Sequence, residues 1–250
     1  MSSPKTILIL GGFGFIGTNV IKFIEANFCE DYKVVVFDKL PYHPHGIVFK
    51  NIEKVYDGDF ADELILERIF VENKIDIVVH LISSTVPVTS RNAKYDVSSN
   101  LLPTLSLLSI MDYHRVKNII YFSSGGAIYG EHSNFHSETD AVFPKSSYAI
   151  VKHSIERYLL LYSELFGFNS LILRLSNPFG GYHYSNHQGI CNIAIRKGLK
   201  KEKIQIWGDG NGRKDYISIS DVCDILFRLI NAGIYTDTLN LGSGKVYSVN

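Results

Sequence analysis

The chain has 250 residues, of which 46% are hydrophobic and 20% charged, a composition that excludes intrinsic disorder and fibrous repeats. Its 25 basic and 25 acidic side chains cancel, which argues against a nucleic-acid-binding protein. Cys29, Cys191 and Cys223 lie far apart in the sequence and match no metal or redox spacing. We expect no signal peptide, because the first residues lead directly into a predicted strand, and no apolar run is long enough to span a membrane. We therefore expect a cytoplasmic protein without a membrane partner.

Short β-branched segments alternate with longer helical ones along most of the chain. Several of the β segments are almost continuously apolar, as in parallel strands covered on both faces. The predicted strands cover residues 6–10, 33–37, 54–56, 75–81, 118–122, 170–175 and 239–241, and the predicted helices cover 15–27, 61–72, 100–114, 147–166 and 190–201. This alternation predicts an α/β fold with a doubly wound parallel sheet of the Rossmann type.

The alternation of predicted strands and helices changes after residue 176, where a turn-rich loop begins. We predict a nucleotide-binding Rossmann domain over residues 1–176, to which a strand near 239–241 returns. Residues 177–250 would form a smaller substrate-binding lobe. Ser248 and Asn250 are good helix N-caps with no helix after them, so we expect this lobe to be incomplete.

Three glycines, Gly11, Gly14 and Gly17, follow the first apolar strand and open the first helix. Such a turn lets backbone amides approach a pyrophosphate at a helix N-terminus. The second strand ends in Asp38, 21 residues after Gly17, where a carboxylate can accept hydrogen bonds from ribose hydroxyls. Because it would repel a 2′-phosphate, we predict NAD as the cofactor, although Lys39 lies next to it. An ordinary βα turn with an incidental aspartate is the alternative.

Tyr148 and Lys152 lie four residues apart in a predicted helix, so their side chains share one face, about 6 Å apart along the axis. An ammonium near a phenol favours the phenolate, and we expect it to lower the pKa of Tyr148. Such a tyrosine can exchange a proton with a substrate hydroxyl. No metal is expected, because His183 and His187 have no carboxylate between them.

Further motifs occur at residues 57–62, 80–84, 123–130, 174–180, 208–216 and 241–248. In this order they resemble those of the extended short-chain dehydrogenases/reductases, specifically the NAD-dependent nucleotide-sugar epimerase/dehydratase branch with its UDP-glucose 4-epimerase-like members. The resemblance covers nearly the whole chain. With the glycine turn and Asp38, it implies the following cofactor-binding residues: Gly11, Gly14, Phe15, Ile16, Gly17, Asp38, Lys39, Asp59, Phe60, Leu81, Ser83, Asn100, Ser123, Tyr148, Lys152 and Ser176.

The same resemblance implies a substrate side and shows two departures from the family pattern. Asn177 corresponds to the family residue that contacts the substrate diphosphate, and Lys214 stands where the family has an arginine, one residue after Arg213. Gly125 stands where the epimerases have a catalytic serine or threonine. Either Ser124 takes over that role or a water does, and we favour Ser124. The implied substrate-binding residues are Ser124, Gly125, Asn177, Arg213 and Lys214.

The implied reaction is epimerisation, at C4, of the sugar of a nucleotide-diphosphosugar, most simply a UDP-sugar, by transient oxidation to a ketosugar. Tyr148, Lys152 and Ser124 would be the catalytic residues. A 4,6-dehydratase is disfavoured because Gly126 and Ala127 replace its acidic pair; a 4-ketosugar reductase and a non-catalytic NAD-binding protein stay open. The resemblance also implies a homodimer, with Leu105, Leu108 and Tyr158 as contacts.

Overall fold

Seven largely buried strands form one parallel sheet, and three short strands form a second sheet. The computed structural model describes residues 3–85, 90–130, 135–185, 188–206 and 208–250. The large sheet has the order β3-β2-β1-β4-β5-β6-β9 and the small one β10-β8-β7. In chain order the strands are β1 Lys5–Leu10, β2 Tyr32–Asp38, β3 Ile52–Asp57, β4 Ile77–His80, β5 Asn118–Ser124, β6 Asn169–Leu175, β7 Asn177–Phe179, β8 Lys214–Ser218, β9 Asp237–Leu241 and β10 Val246–Tyr247.

Alternate residues of each strand point to opposite faces of the large sheet, and helices cover both faces. The helices are α1 Phe15–Asn27, α2 Glu63–Glu72, α3 Ala93–Asp96, α4 Leu102–Tyr113, α5 Gly125–Ile128, α6 Ser147–Phe166, α7 Ile190–Leu199 and α8 Ile219–Asn231. Ile7 and Ile9 pack with α1 and α8, whereas Leu8 and Leu10 pack with α2, α4 and α6. The predicted doubly wound Rossmann fold is confirmed, with every pair of neighbouring strands in the large sheet parallel.

The segment after β4 departs from the prediction of one helix over residues 100–114. A short α3 runs into a π-helical turn, Val97–Leu101, before α4 begins. The wider turn accommodates one extra residue within a continuous helical path. It buries Asn100, whose side-chain oxygen accepts a hydrogen bond from Ser84 N at 2.8 Å. This hydrogen bond therefore ties the π-helical turn to the loop after β4.

Helix α8 was missed by the sequence analysis, which predicted no helix after residue 201. Ser218 caps it by accepting a hydrogen bond from Ser220 N, and Val222, Leu226 and Ile230 recur on its buried face. This helix packs against α1 and belongs to the same core cluster as the central strands. Part of the predicted 177–250 lobe thus lies in the Rossmann core, and the proposed division at residue 176 stays a prediction.

Leu108 cannot serve as the dimer contact that was predicted for it. It is fully buried, in the core between α4 and the sheet, because α4 turns this side of the helix inward. Among the described residues, no helix combines the length and the apolar character that crossing a membrane requires.

Candidate active site

The glycine turn between β1 and α1 is packed too tightly for side chains. A Cβ on Gly17 would lie 2.4 Å from the carbonyl oxygen of Gly11, whose own φ is +83°. Helix α1 begins after Gly14, and no side chain caps it. Its first amides therefore face outward at the positive end of the helix dipole, a cradle that fits the pyrophosphate of a dinucleotide.

Asp38 ends β2 beside this turn. Its carboxylate accepts hydrogen bonds from Phe13 N at 2.9 Å and from Lys39 N at 2.7 Å. Burial raises the pKa of Asp38, and these backbone hydrogen bonds oppose the shift. Lys39 itself is exposed, and Asp59 is exposed just after the neighbouring β3. The acidic position and the glycine turn therefore meet at one edge of the sheet, as the NAD fingerprint predicts.

One cleft of about 520 Å³ opens at the carboxyl edge of the sheet and brings most of the predicted site residues together. Its predicted lining residues are Gly11, Gly14, Phe15, Ile16, Gly17, Leu81, Ser83, Ser123, Ser124, Tyr148, Lys152, Ser176, Asn177 and Lys214. The predicted site residues that do not line it directly are Asp38, Lys39, Asp59, Phe60, Asn100, Gly125 and Arg213.

Phe60 and Asn100 lie behind the cleft. Phe60 is a core residue whose ring centre lies 5.2 Å from that of His80. Asn100 lines a separate, very small cavity with Tyr121 and Lys152. Both residues therefore lie behind the cleft, and the cofactor contacts predicted for them stay predictions.

Tyr148 stands in the first turn of α6, and Lys152 follows one turn later. Lys152 is 7% exposed, and its Nζ donates to the carbonyl oxygen of Phe122 at 2.9 Å. Burial lowers the pKa of Lys152 to about 8, against the opposing charge of Glu156. Ser124, at the end of β5, faces the phenol of Tyr148 closely enough for a hydrogen bond that lowers the pKa of the tyrosine.

The expected net lowering of the pKa of Tyr148 is wrong. Burial raises this pKa and outweighs the hydrogen bond to Ser124. Lys152 Nζ lies 6.0 Å from the centre of the Tyr148 ring and only 4.8 Å from that of Tyr121. The lysine is therefore turned towards β5, and its charge does not dominate the phenol.

At Gly125, where the resemblance implies a serine or threonine, the backbone leaves little room for a side chain. Gly125 opens α5 against β6, and a Cβ there would lie 2.9 Å from the carbonyl oxygen of Arg174. No such approach occurs at Gly126, where the nearest atoms would be 3.8 Å away. Ser124 is therefore the hydroxyl that this backbone path presents to Tyr148.

Asp215, on β8, holds together the side of the cleft next to the small sheet. Its carboxylate accepts hydrogen bonds from Ser176 Oγ at 3.2 Å and from Gly244 N at 2.8 Å. The side-chain amide of Asn177 donates to the backbone oxygen of Asp215 at 2.8 Å. Lys214 and Arg213 are both exposed, but only Lys214 lines the cleft.

The lining residues that the sequence analysis missed include Lys145, His183 and Gln188. The ring of His183 packs against that of Phe15, with centres 4.3 Å apart, which brings the loop after β7 over the glycine turn. No local motif marks such a long-range contact, so only the fold reveals it. His187, which the sequence analysis considered together with His183 as a possible metal ligand, lies outside the described residues.

The glycine turn and the tyrosine–lysine pair line one cleft, and the terminal acid of β2 lies beside the turn. Together these features define a dinucleotide-dependent enzyme of the Rossmann class. Residues 7–242 match the NAD dependent epimerase/dehydratase family. The chain belongs to this family, and its cofactor is NAD.

Individual relatives agree with the family assignment. The chain is 33% identical over 248 residues to a putative UDP-glucose 4-epimerase of Methanocaldococcus jannaschii, covering 98% of this chain and 79% of the relative. The UDP-glucose 4-epimerase of Thermotoga maritima, solved with UDP-glucose, has a TM-score of 0.87 at 30% identity, covering 98% of this chain and 79% of that one. The NAD complex of the Thermus thermophilus UDP-glucose 4-epimerase gives 0.86 at 28%, with the same coverage.

Proposed function

We propose that the protein epimerises the sugar of a nucleotide-diphosphosugar, a UDP-sugar, at C4 through a transient ketosugar. The observation that carries the proposal is the meeting of Tyr148, Ser124 and Lys152 in the cleft that also exposes the glycine turn. NAD, when bound, supplies the hydride acceptor and returns the hydride, so no net redox change results.

Tyr148 acts as the general base and acid at the sugar hydroxyl. In the oxidative half, its phenolate oxygen accepts the hydroxyl proton, and in the reductive half it gives that proton back. The Ser124 hydroxyl beside the phenol favours the phenolate, against the larger opposing effect of burial on the pKa of Tyr148. Lys152, buried beside Tyr121, holds a positive charge close to the reacting end of the cleft. Its pKa of about 8 lets it exchange protons near neutral pH.

The diphosphate of the substrate would lie between the small sheet and the glycine turn. Asn177 and Lys214 line this part of the cleft. Lys214 offers a mobile point charge, whereas Arg213 is placed for a role only at the rim, since it does not line the cleft. Binding energy gained here, far from the reacting carbon, helps to orient the sugar.

Dehydration is the less favoured chemistry at this site. Gly126 and Ala127 line the cleft shortly after Ser124, and neither carries the acid or base that elimination of water requires. The proton chemistry next to Ser124 therefore rests on Tyr148, which suits epimerisation.

We also propose that the protein forms a homodimer through the outer face of α6. Ile150, Tyr158, Leu161 and Leu165 recur on one side of this helix and are 38–61% exposed. Leu105, on α4, is half-buried. An exposed apolar face of this kind is typical of a self-association surface. Sedimentation of the wild type against Leu161→Glu tests it, with a monomeric wild type contradicting the proposal.

Substitution of Tyr148 by Phe tests the catalytic assignment. We expect kcat to fall by about 10²–10⁴-fold, the range that general acid–base groups contribute, while NAD binding is unchanged. Tyr158→Phe, on the outer face of the same helix, is the matched control and should keep full activity. An active Tyr148→Phe protein would show that another group moves the proton.

A further inference from the structure

Asp96 is a buried carboxylate that has no part in the proposed chemistry. It ends α3 and is 1% exposed. Burial alone would raise its pKa, but the neighbouring hydroxyls of Ser147, Ser90 and Thr85 outweigh this and lower the pKa below its usual value. The group is therefore ionised at neutral pH, and an interior carboxylate held this way needs an explanation.

Ser90 connects this carboxylate to the catalytic helix. Its Oγ donates to Asp96 Oδ2 at 2.5 Å and accepts a hydrogen bond from the backbone N–H of Tyr148 at 2.8 Å. A serine hydroxyl has one proton, and an ionised carboxylate only accepts hydrogen bonds. Asp96 thus fixes the direction of the Ser90 hydroxyl and turns its lone pair towards Tyr148.

Tyr148 needs such a partner because of its place in the helix. The first N–H groups of a helix have no intrahelical acceptor, so this end frays unless it is capped. Ser146 caps Ala149 N at 3.2 Å, and the Ser90 hydroxyl supplies the acceptor for Tyr148. A negative charge near the helix N-terminus adds to the stabilisation.

We propose that Asp96 is a positioning residue, which holds the first turn of α6 through Ser90 and so sets the place of the Tyr148 phenol. Neither Asp96 nor Ser90 lines the cleft. The pair would act on the rate of the proton transfer and leave substrate affinity alone, because small displacements of a catalytic group are costly. This inference rests on the proposed function for its rate effect, but its structural part does not.

The first test measures hydrogen exchange of the Tyr148 amide in the NAD-loaded protein. Ser90→Ala and Asp96→Asn should speed this exchange by about tenfold, the effect of losing one hydrogen bond of ~1.4 kcal/mol, while Ser90→Thr, which keeps the hydroxyl, should not. Unchanged exchange in Ser90→Ala overturns the proposal, whatever the activity of the protein.

The second test separates positioning from general stability. In Ser90→Ala, kcat should fall about tenfold with KM changed by less than about twofold, and adding Asp96→Asn should lower it little further, since coupled residues are not additive. Ser218→Ala, which removes the cap of α8, is the control: it should lower the Tm and keep kcat. Faster exchange with an unchanged kcat, or equal losses in Ser90→Thr, would refute the positioning role.

The two tests also separate the inference from the proposed function. If the wild type turns over no nucleotide sugar, the proposed function fails and amide exchange alone decides on the link from Asp96 to Tyr148. If the wild type is active and Ser90→Ala is equally active, the positioning role fails and the function stands.

Discussion

Gly125 and Gly126 are neighbouring glycines in α5 that should respond very differently to substitution. A Cβ on Gly125 would lie 2.9 Å from the backbone oxygen of Arg174, whereas one on Gly126 would meet only the side chain of Asn177 at 3.8 Å. The first contact is about 0.5 Å short of ordinary van der Waals distance. It involves strand backbone, which cannot rotate away.

We expect Gly125→Ala to destabilise the protein by about 1–3 kcal/mol, the usual range for overpacking. Gly126→Ala should be neutral to within about 0.5 kcal/mol, as for substitutions without a new clash. Urea unfolding of both variants measures this difference in the free energy of unfolding, provided that their m-values agree. Equal stability of the two would refute the argument that close packing on β6 excludes a side chain at residue 125.

The same geometry predicts an outcome for activity. Ser124→Ala should lower kcat by about 10²-fold, within the range of groups that assist proton transfer. Restoring a family-like hydroxyl by Gly125→Ser in that background should not recover the rate, because the added side chain clashes before it can reach Tyr148. Recovery in the double variant would show that residue 125 is a working catalytic position.

Three further predictions concern buried charges and the cofactor site. Glu156→Gln leaves the guanidinium of Arg174, now 2.8 Å from the carboxylate, without a counter-charge, and should cost about 3–5 kcal/mol in urea unfolding. Burial, with the charge of Lys152, lowers the pKa of His80 to about 3. As the pH falls below about 6.5, the histidine therefore takes up a proton in the unfolded state only. The free energy of unfolding should then drop by about 1.4 kcal/mol per pH unit more in the wild type than in His80→Gln. Asp38→Asn should raise the affinity for NADP relative to NAD by about tenfold, equivalent to ~1.4 kcal/mol of relieved repulsion, as fluorescence titration would measure. Parallel pH profiles for the two His80 proteins, an unaltered stability in Glu156→Gln or an unaltered cofactor ratio would each contradict its prediction.

The large sheet was predictable because its strands are apolar on both faces. Each of the seven segments predicted as strands forms one, and α1 and α6 begin and end where the sequence placed them. Gly14 and Ser146 are strong local start signals. Apolar strand segments and helix start signals are local features of the sequence, so the order of the strands and helices could be predicted from them.

The remaining features depend on contacts between distant segments. Helix α8 has a regular apolar face, but the irregular region before it obscured the start of the helix. The packing of His183 on Phe15 and the hydrogen bond from Tyr148 N to Ser90 Oγ join segments 58 or more residues apart. The pKa of Tyr148 was mispredicted for the same reason, because burial is a property of the folded chain and not of the Tyr148–Lys152 spacing.

The measurement that tests the central claim most directly is NMR of UDP-, GDP-, dTDP- and CDP-sugars incubated with the protein and catalytic NAD. We predict that one UDP-sugar converts to its C4 epimer with no net formation of NADH. Conversion only with stoichiometric NADH or NADPH would identify a ketosugar reductase, and no conversion of any sugar by the NAD-loaded protein would contradict the proposed function.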